Sequence, residues 1–194
     1  MAVAFLAVLT ACTSGHSGPK QPPAAIATHE IAIPLRVTGA EVVSPNHGQQ
    51  ALDATTRDAV AAVVQRLLDA SVVQPLSHGT LGPVGPLFTT AAGQHAVFAD
   101  HAAFFDDGVA QVQRVDSHTA DVQLTALADD QDHTALVVAK FNWDITGNGG
   151  NVHVVHRGEL SLIPAFGGWL VSAYDVAVAR SVNGNTTSTT AVLK

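Results

Sequence analysis

From Val109 onward the hydrophobic period of the chain changes from that of a helix to that of a strand, and this change decides the fold class. Ala120, Val122, Leu124 and Ala126 alternate with Thr119, Asp121, Gln123 and Thr125. Ala135, Val137, Ala139, Phe141, Trp143 and Ile145 alternate with Thr134, Leu136, Val138, Lys140, Asn142 and Asp144. Successive side chains of a strand point to opposite faces, so each run predicts a half-buried strand with one apolar face. The polar stretch 128–133 between them reads as a hairpin loop, and Thr146-Gly147-Asn148-Gly149-Gly150-Asn151 as a second, strongly marked turn. Val152, Val154, Leu160 and Leu162 then alternate with His153, Val155, Arg157, Glu159 and Ser161. After Pro164 and Gly167-Gly168 a last strand runs from Trp169 to Arg180.

Upstream the period is helical. Thr55 and Asp58 have the spacing of a capping box. Val60, Val63, Val64, Leu67 and Leu68 follow at helical spacing, with Arg57, Gln65, Arg66 and Asp69 mostly on the other side. Pro75 predicts that this helix ends near Ser71. The glycines and prolines of 77–90 read as loop. Thr89 or Thr90 caps a short second helix over Ala91–Phe98, and a further turn covers Asp100–Phe105, with Asp106-Asp107-Gly108 as its stop. Helices followed by a four- to five-stranded antiparallel meander define an α+β class, with N-terminal helices packed on one face of a curved sheet. A hydrophobic share of 47% with 13% charged residues excludes a disordered chain. The net charge of -7 has the wrong sign for nucleic-acid binding.

The lone cysteine carries the other strong signal. The chain opens MAVAFLAVLTAC, and Leu9-Thr10-Ala11-Cys12 has the form of a bacterial lipobox. The apolar run before Cys12 is shorter than the roughly 20 residues that cross a bilayer and matches a secretory signal core. The pattern departs from such a signal in one respect, since no Lys or Arg precedes Lys20. The simpler alternative is a signal peptide with an incidental cysteine. Residues 1–11 are expected to be a lipoprotein signal, 12–28 the lipidated cysteine and a flexible Pro- and Gly-containing tether, 29–180 one α+β domain, and 181–194 a polar flexible tail. Two or more acyl chains on Cys12, each buried methylene worth about 0.8 kcal/mol, would hold the protein at the extracytoplasmic face of the cell membrane. A single thiol allows no internal disulfide.

The segment HRGELSLIPAFGGWLVSAYDVAV resembles the closing strands of the nuclear transport factor 2-like superfamily, whose domain is a cystatin-like cone. His156, Arg157, Gly158, Gly168, Trp169, Tyr174 and Val176 stand at the matching places, and the resemblance spans about residues 50–180. With the lipobox, the chain is also similar to actinobacterial lipoproteins of this fold and, more distantly, to Mce-associated envelope proteins. The superfamily includes isomerases, cyclases, dehydratases and many non-enzymes, so the fold does not give the activity.

The enzymatic relatives that resemble ketosteroid isomerase place an Asp base and a Tyr or Asp proton donor inside the cone. Tyr174 is the one tyrosine here, sharing a face with Leu170, Val176 and Val178, and His156 interrupts the apolar row of its strand. An isomerase would need a buried Asp within hydrogen-bond reach of Tyr174. A lipid carrier would need an uninterrupted apolar cavity of several hundred Å³ or more. The ten histidines lack metal-ligand spacing: His153 and His156, three apart on a strand, face opposite sides. The loop containing Asp129, Asp130 and Asp132 lacks the glycine and distal Glu of an EF-hand. No phosphate-binding, dinucleotide or nucleophile-elbow motif occurs. The expectation is a non-catalytic binding module without cofactor or metal, taking a partner protein or an apolar small molecule, with homodimerisation through the open sheet face. Tyr174 and His156 would orient a ligand, and Trp143, Phe141 and Trp169 would build the core or line a pocket.

Overall fold

Residues 31–194 are described by the computed structural model; Cys12 and the residues expected to form a signal and a tether lie outside the described residues. The chain begins with β1 (Arg36–Ser44) and β2 (Gly48–Ala51). A helical layer follows, of α1 (Ala54–Leu68), α2 (Gln74–His78), α3 (Thr90–Gln94) and α4 (His101–Phe104). Five long strands complete it: β3 (Val115–Ala128), β4 (Thr134–Gly147), β5 (Val152–Ala165), β6 (Gly168–Val182) and β7 (Asn185–Leu193). They form one seven-stranded sheet in the order β2-β1-β3-β4-β5-β6-β7. Every neighbouring pair is antiparallel except β1 and β3, which run parallel because the helical layer connects them.

The α+β class and β3 to β6 agree with the sequence pattern. The strand count does not: the sheet is mixed and has seven strands, not an antiparallel four or five. Residues 185–193, expected to be part of a flexible tail, form β7 in unbroken register with β6. Asn183 and Gly184 make the turn at φ 50° and 81°, the backbone of a two-residue hairpin loop. The polar run of Thr and Ser that follows suits a strand with its sides open to water.

The first helix also differs from expectation. Its N-cap is Asp53, whose carboxylate accepts from the Thr56 amide at 2.9 Å, in place of a Thr55–Asp58 box. Nor does Pro75 end it. A π-turn over Asp69–Val73 carries the helix directly into α2. In this wider turn the Gln74 amide donates to the Asp69 carbonyl, and Pro75 has no amide to lose. The carbonyls of Ala70 and Ser71 are thereby released to accept from the amides of Gly82, at 2.9 Å, and Asp106, at 3.1 Å. Gly82 comes close enough that a Cβ there would lie 2.7 Å from Ala70 Cα. The proline thus serves to dock two later loops onto the helix.

The inner face of the sheet packs on this layer. Val60, Val63, Val64, Leu67 and Leu68 of α1 share one core with Val122, Leu124, Phe141, Trp143, Ile145, Leu160, Leu162, Val176 and Val178. In the middle of β5, Gly158 lies opposite Phe141 on one side and Val176 on the other. A Cβ there would overlap the Asp175 carbonyl oxygen and crowd Val176 Cα at 2.9 Å. Because the obstacle is backbone, Gly158→Ala is expected to cost roughly 1–3 kcal/mol of stability, read as a lower urea midpoint at unchanged slope.

Candidate functional site

Two groups of polar side chains stand out, one on each face of the sheet. On the inner face, strand alternation turns His156 of β5 and Arg180 of β6 toward the helical layer. There they meet Asp106, held in place by the hydrogen bond its backbone amide donates to the Ser71 carbonyl. His156 Nε2 donates to Asp106 Oδ2 at 2.9 Å, and Arg180 Nε donates to Asp106 Oδ1. The remaining guanidinium nitrogens donate to the carbonyls of Ala102 at 2.6 Å and Phe105 at 3.0 Å. Asp106 is completely buried and His156 is 1% exposed. A carboxylate taken out of water is costly unless a counter-charge and hydrogen bonds meet it, and this one has both.

A second bond ties the same segment to the sheet. The Tyr174 hydroxyl donates to Asp100 Oδ2 at 2.6 Å. The Phe104 ring stands edge-on to the Tyr174 ring, centroids 4.6 Å apart, and Tyr174 is 3% exposed. Burial pushes the Tyr174 phenol well above its ordinary range, and the Asp100 carboxylate pushes it further through the hydrogen bond and its charge. Asp100 and Asp106 therefore bracket α4 and stitch it to β6 and β5.

Of Tyr174 and His156, expected to orient a ligand, and Trp143 and Trp169, expected to build the core or line its pocket, all but Trp169 face inward. Trp143 pairs with His156 across β4 and β5, their rings 6.0 Å apart, and Trp143 also packs on Phe141 at 4.3 Å. Its buried Nε1 has no hydrogen-bond partner among the described residues. Tyr174 does not pair with His156: the residue opposite His156 is Val178, four positions along β6, or roughly 13 Å away. Trp169 stands apart from the other three, half-buried opposite Pro164 near the β5–β6 turn. Asp100, Asp106 and Arg180 were not anticipated. The first two read only as helix punctuation and the third as a strand end.

The outer face carries an open groove of about 740 Å³, lined among others by Thr38, Asp121, Lys140, Asn142, Arg157 and Asp175. Arg36 bonds Asp121 at 2.7 Å and holds its carboxyl below the usual range, first through the hydrogen bond. Lys140 pairs with Glu159 at 3.2 Å. The Arg157 guanidinium donates to Asn142 Oδ1 at 2.8 Å and, among the described residues, has no carboxylate partner. A smaller recess of about 330 Å³ continues from Arg157 and Ala177 over Ala179 to Ser188 and Thr190 of β7. His153 lies on this face with Asp144 at 2.9 Å, opposite in direction to His156. Among the described residues no group of His, Cys, Asp and Glu is arranged to hold a metal ion.

No protein-family model matches the chain, and no curated protein or solved structure shows significant similarity to it. The chemistry of the two faces is therefore read from geometry alone. The inner cluster closes on itself: its donors and acceptors are spent on one another, and Phe104 covers the hydroxyl-bearing ring. The outer groove leaves a guanidinium open to water.

Removing the Asp106 carboxylate strands two cationic or polar partners in the core. Asp106→Ala is expected to destabilise the fold by roughly 3–5 kcal/mol in urea titration, and Asp106→Asn by less because it keeps an acceptor. Tyr174 gives a second check. The unfolded chain ionises its tyrosine near about pH 10 and the folded chain does so only at higher pH. The stabilisation is then complete below about pH 10 and is lost as pH rises above it, since only the unfolded state releases the proton. As Tyr174 is the one tyrosine, the phenolate absorption band should appear together with unfolding in an alkaline titration. A band that rises near pH 10 in still-folded protein would contradict this burial.

Proposed function

We propose that the chain is a lipid-anchored protein of the extracytoplasmic face of the cell membrane, acting by binding and not by catalysis. In this reading its domain is a nuclear transport factor 2-like, cystatin-like cone, and Cys12 carries the anchor. One observation carries the binding part. The inward-facing groups His156, Arg180, Asp106 and Tyr174 are consumed by hydrogen bonds, which leaves Trp143 Nε1 as an unpaired buried donor, whereas the open groove on the outer face presents Arg157 without a carboxylate partner among the described residues. Lys140, Glu159, Asp121 and Asp175 around it make a charged wall, which favours a polar segment of a partner protein over an apolar small molecule. The core filled by Trp143, Phe141 and the leucines speaks against a lipid carrier.

A second reading has one observation in its favour. The bond between Tyr174 and Asp100 meets the distance requirement of an isomerase-like site, though Asp100 is only half-buried. With Tyr174 only 3% exposed, such chemistry would require α4 to move away from β6.

Native mass spectrometry of protein taken from its own membranes in detergent tests the placement and the ligand together. The expected result is an acyl mass on Cys12 and a retained partner that is lost with Arg157→Glu, with unfolding unchanged because Arg157 is exposed. Cys12→Ala should move the protein from the membrane to the soluble fraction. A free thiol on Cys12 in soluble material would overturn the anchor, and a retained lipid would put the carrier first.

A further inference from the structure

The two edges of the sheet differ. β2 is four residues long and ends the sheet at one side. β7, at the other side, is nine residues long and, among the described residues, pairs in register with β6 alone, without a bulge. Natural sheets protect long edges with Lys, Pro, bulges or a covering element, because unpaired amides and carbonyls recruit another strand. β7, with the sequence Asn-Thr-Thr-Ser-Thr-Thr-Ala-Val-Leu, has no charge, proline or glycine. Its outward residues Ser188, Thr190 and Val192 are exposed.

We infer that two copies of this chain pair antiparallel through β7, joining their sheets into one. Charge selects this occupant. Each copy carries a net charge of -7, so self-association needs a neutral contact, and β7 offers nine consecutive uncharged residues. A two-fold axis at Thr189, the middle of the strand, sets Ser188 against Thr190 of the second copy and Thr187 against Ala191. No like charges meet in that register, and the hydroxyl side chains of Ser188 and Thr190, and of Thr189 and its copy, lie opposite one another, a favourable cross-strand arrangement. The smaller outer recess reaches the free edge at Ser188 and Thr190, so pairing would bring the recesses of both copies together on one side. The chain's own tether is a poor occupant. Pro19, Pro22 and Pro23 cannot donate to a ladder, and Ile31 starts the described chain beside Gln65 and Asp69, near β1, five strand spacings from β7. This inference is independent of what the outer groove binds.

Sedimentation of the full chain in detergent should show a concentration-dependent dimer. Ser188→Lys with Thr190→Lys places two lysine pairs across the axis and is expected to weaken the dimer roughly tenfold. Ser188→Glu with Thr190→Glu should do the same. An equimolar mixture of the two variants should associate at least as tightly as the unaltered chain. Both positions are exposed, and an unchanged urea midpoint confirms the fold. Hydrogen exchange supplies a check that needs no variant: amides within 185–193 should gain protection as protein concentration rises. The inference is overturned by a monomer at all concentrations, by a dimer indifferent to these charges, by a mixture no tighter than its components, or by exchange in β7 that ignores concentration.

Discussion

The buried carboxylate of Asp106 is the constraint on which the two layers of this protein depend. It lies in the connection between the helical layer and β3, and its partners His156 and Arg180 come from β5 and β6. A charge in a dry interior tolerates only one arrangement of its neighbours, because any slip leaves it without a counter-charge. Apolar packing between α1 and the sheet is less directional and would accept small shifts. The carboxylate therefore specifies where the helical layer sits on the sheet, with the Tyr174–Asp100 bond as a second point of attachment.

That constraint reaches back to Pro75. The proline and the π-turn before it release the Ser71 carbonyl, which receives the Asp106 amide. A regular helix would use this carbonyl internally and leave the Asp106 backbone without this partner. A residue that usually ends a helix here creates the acceptor that seats the buried ion pair. The neighbouring carbonyl of Ala70 receives Gly82, and the absence of a side chain at Gly82 lets its loop come that close.

The two faces of the sheet divide the molecule's work. The ionisable groups described on the inner face are tied to one another, His156 and Arg180 to Asp106 and Tyr174 to Asp100, while the indole nitrogen of Trp143 is left without a partner among the described residues. Such groups give a defined fold and little free reactivity. On the outer face Arg36 with Asp121 and Lys140 with Glu159 form pairs in water, where each contributes little to stability, while Arg157 has no carboxylate partner among the described residues. Their value lies in what they present. Arg157 stands at the junction of two recesses, one of which runs to the uncharged edge of β7.

Much of this fold was legible in the sequence, for a local reason. A strict period of two over β3, β4 and β5 and a period of 3.6 over α1 report which side of each element is dry, and no distant residue is needed to read them. The inward direction of His156 followed from the same row as Val152 and Val154. β7 was missed although Asn183-Gly184 marks its turn, because Thr and Ser without an apolar face resemble a tail until a neighbouring strand supplies the hydrogen bonds. The short apolar alternation of β1 was hidden for a similar reason, its side chains being half-buried on both faces. What the inner polar residues do was decided only by tertiary structure. Asp106 and His156 are 50 residues apart, and Asp100 and Tyr174 are 74 apart. Periodicity tells which way a side chain points; which partner it meets depends on how the layers dock, and that is set by the packing of the whole chain.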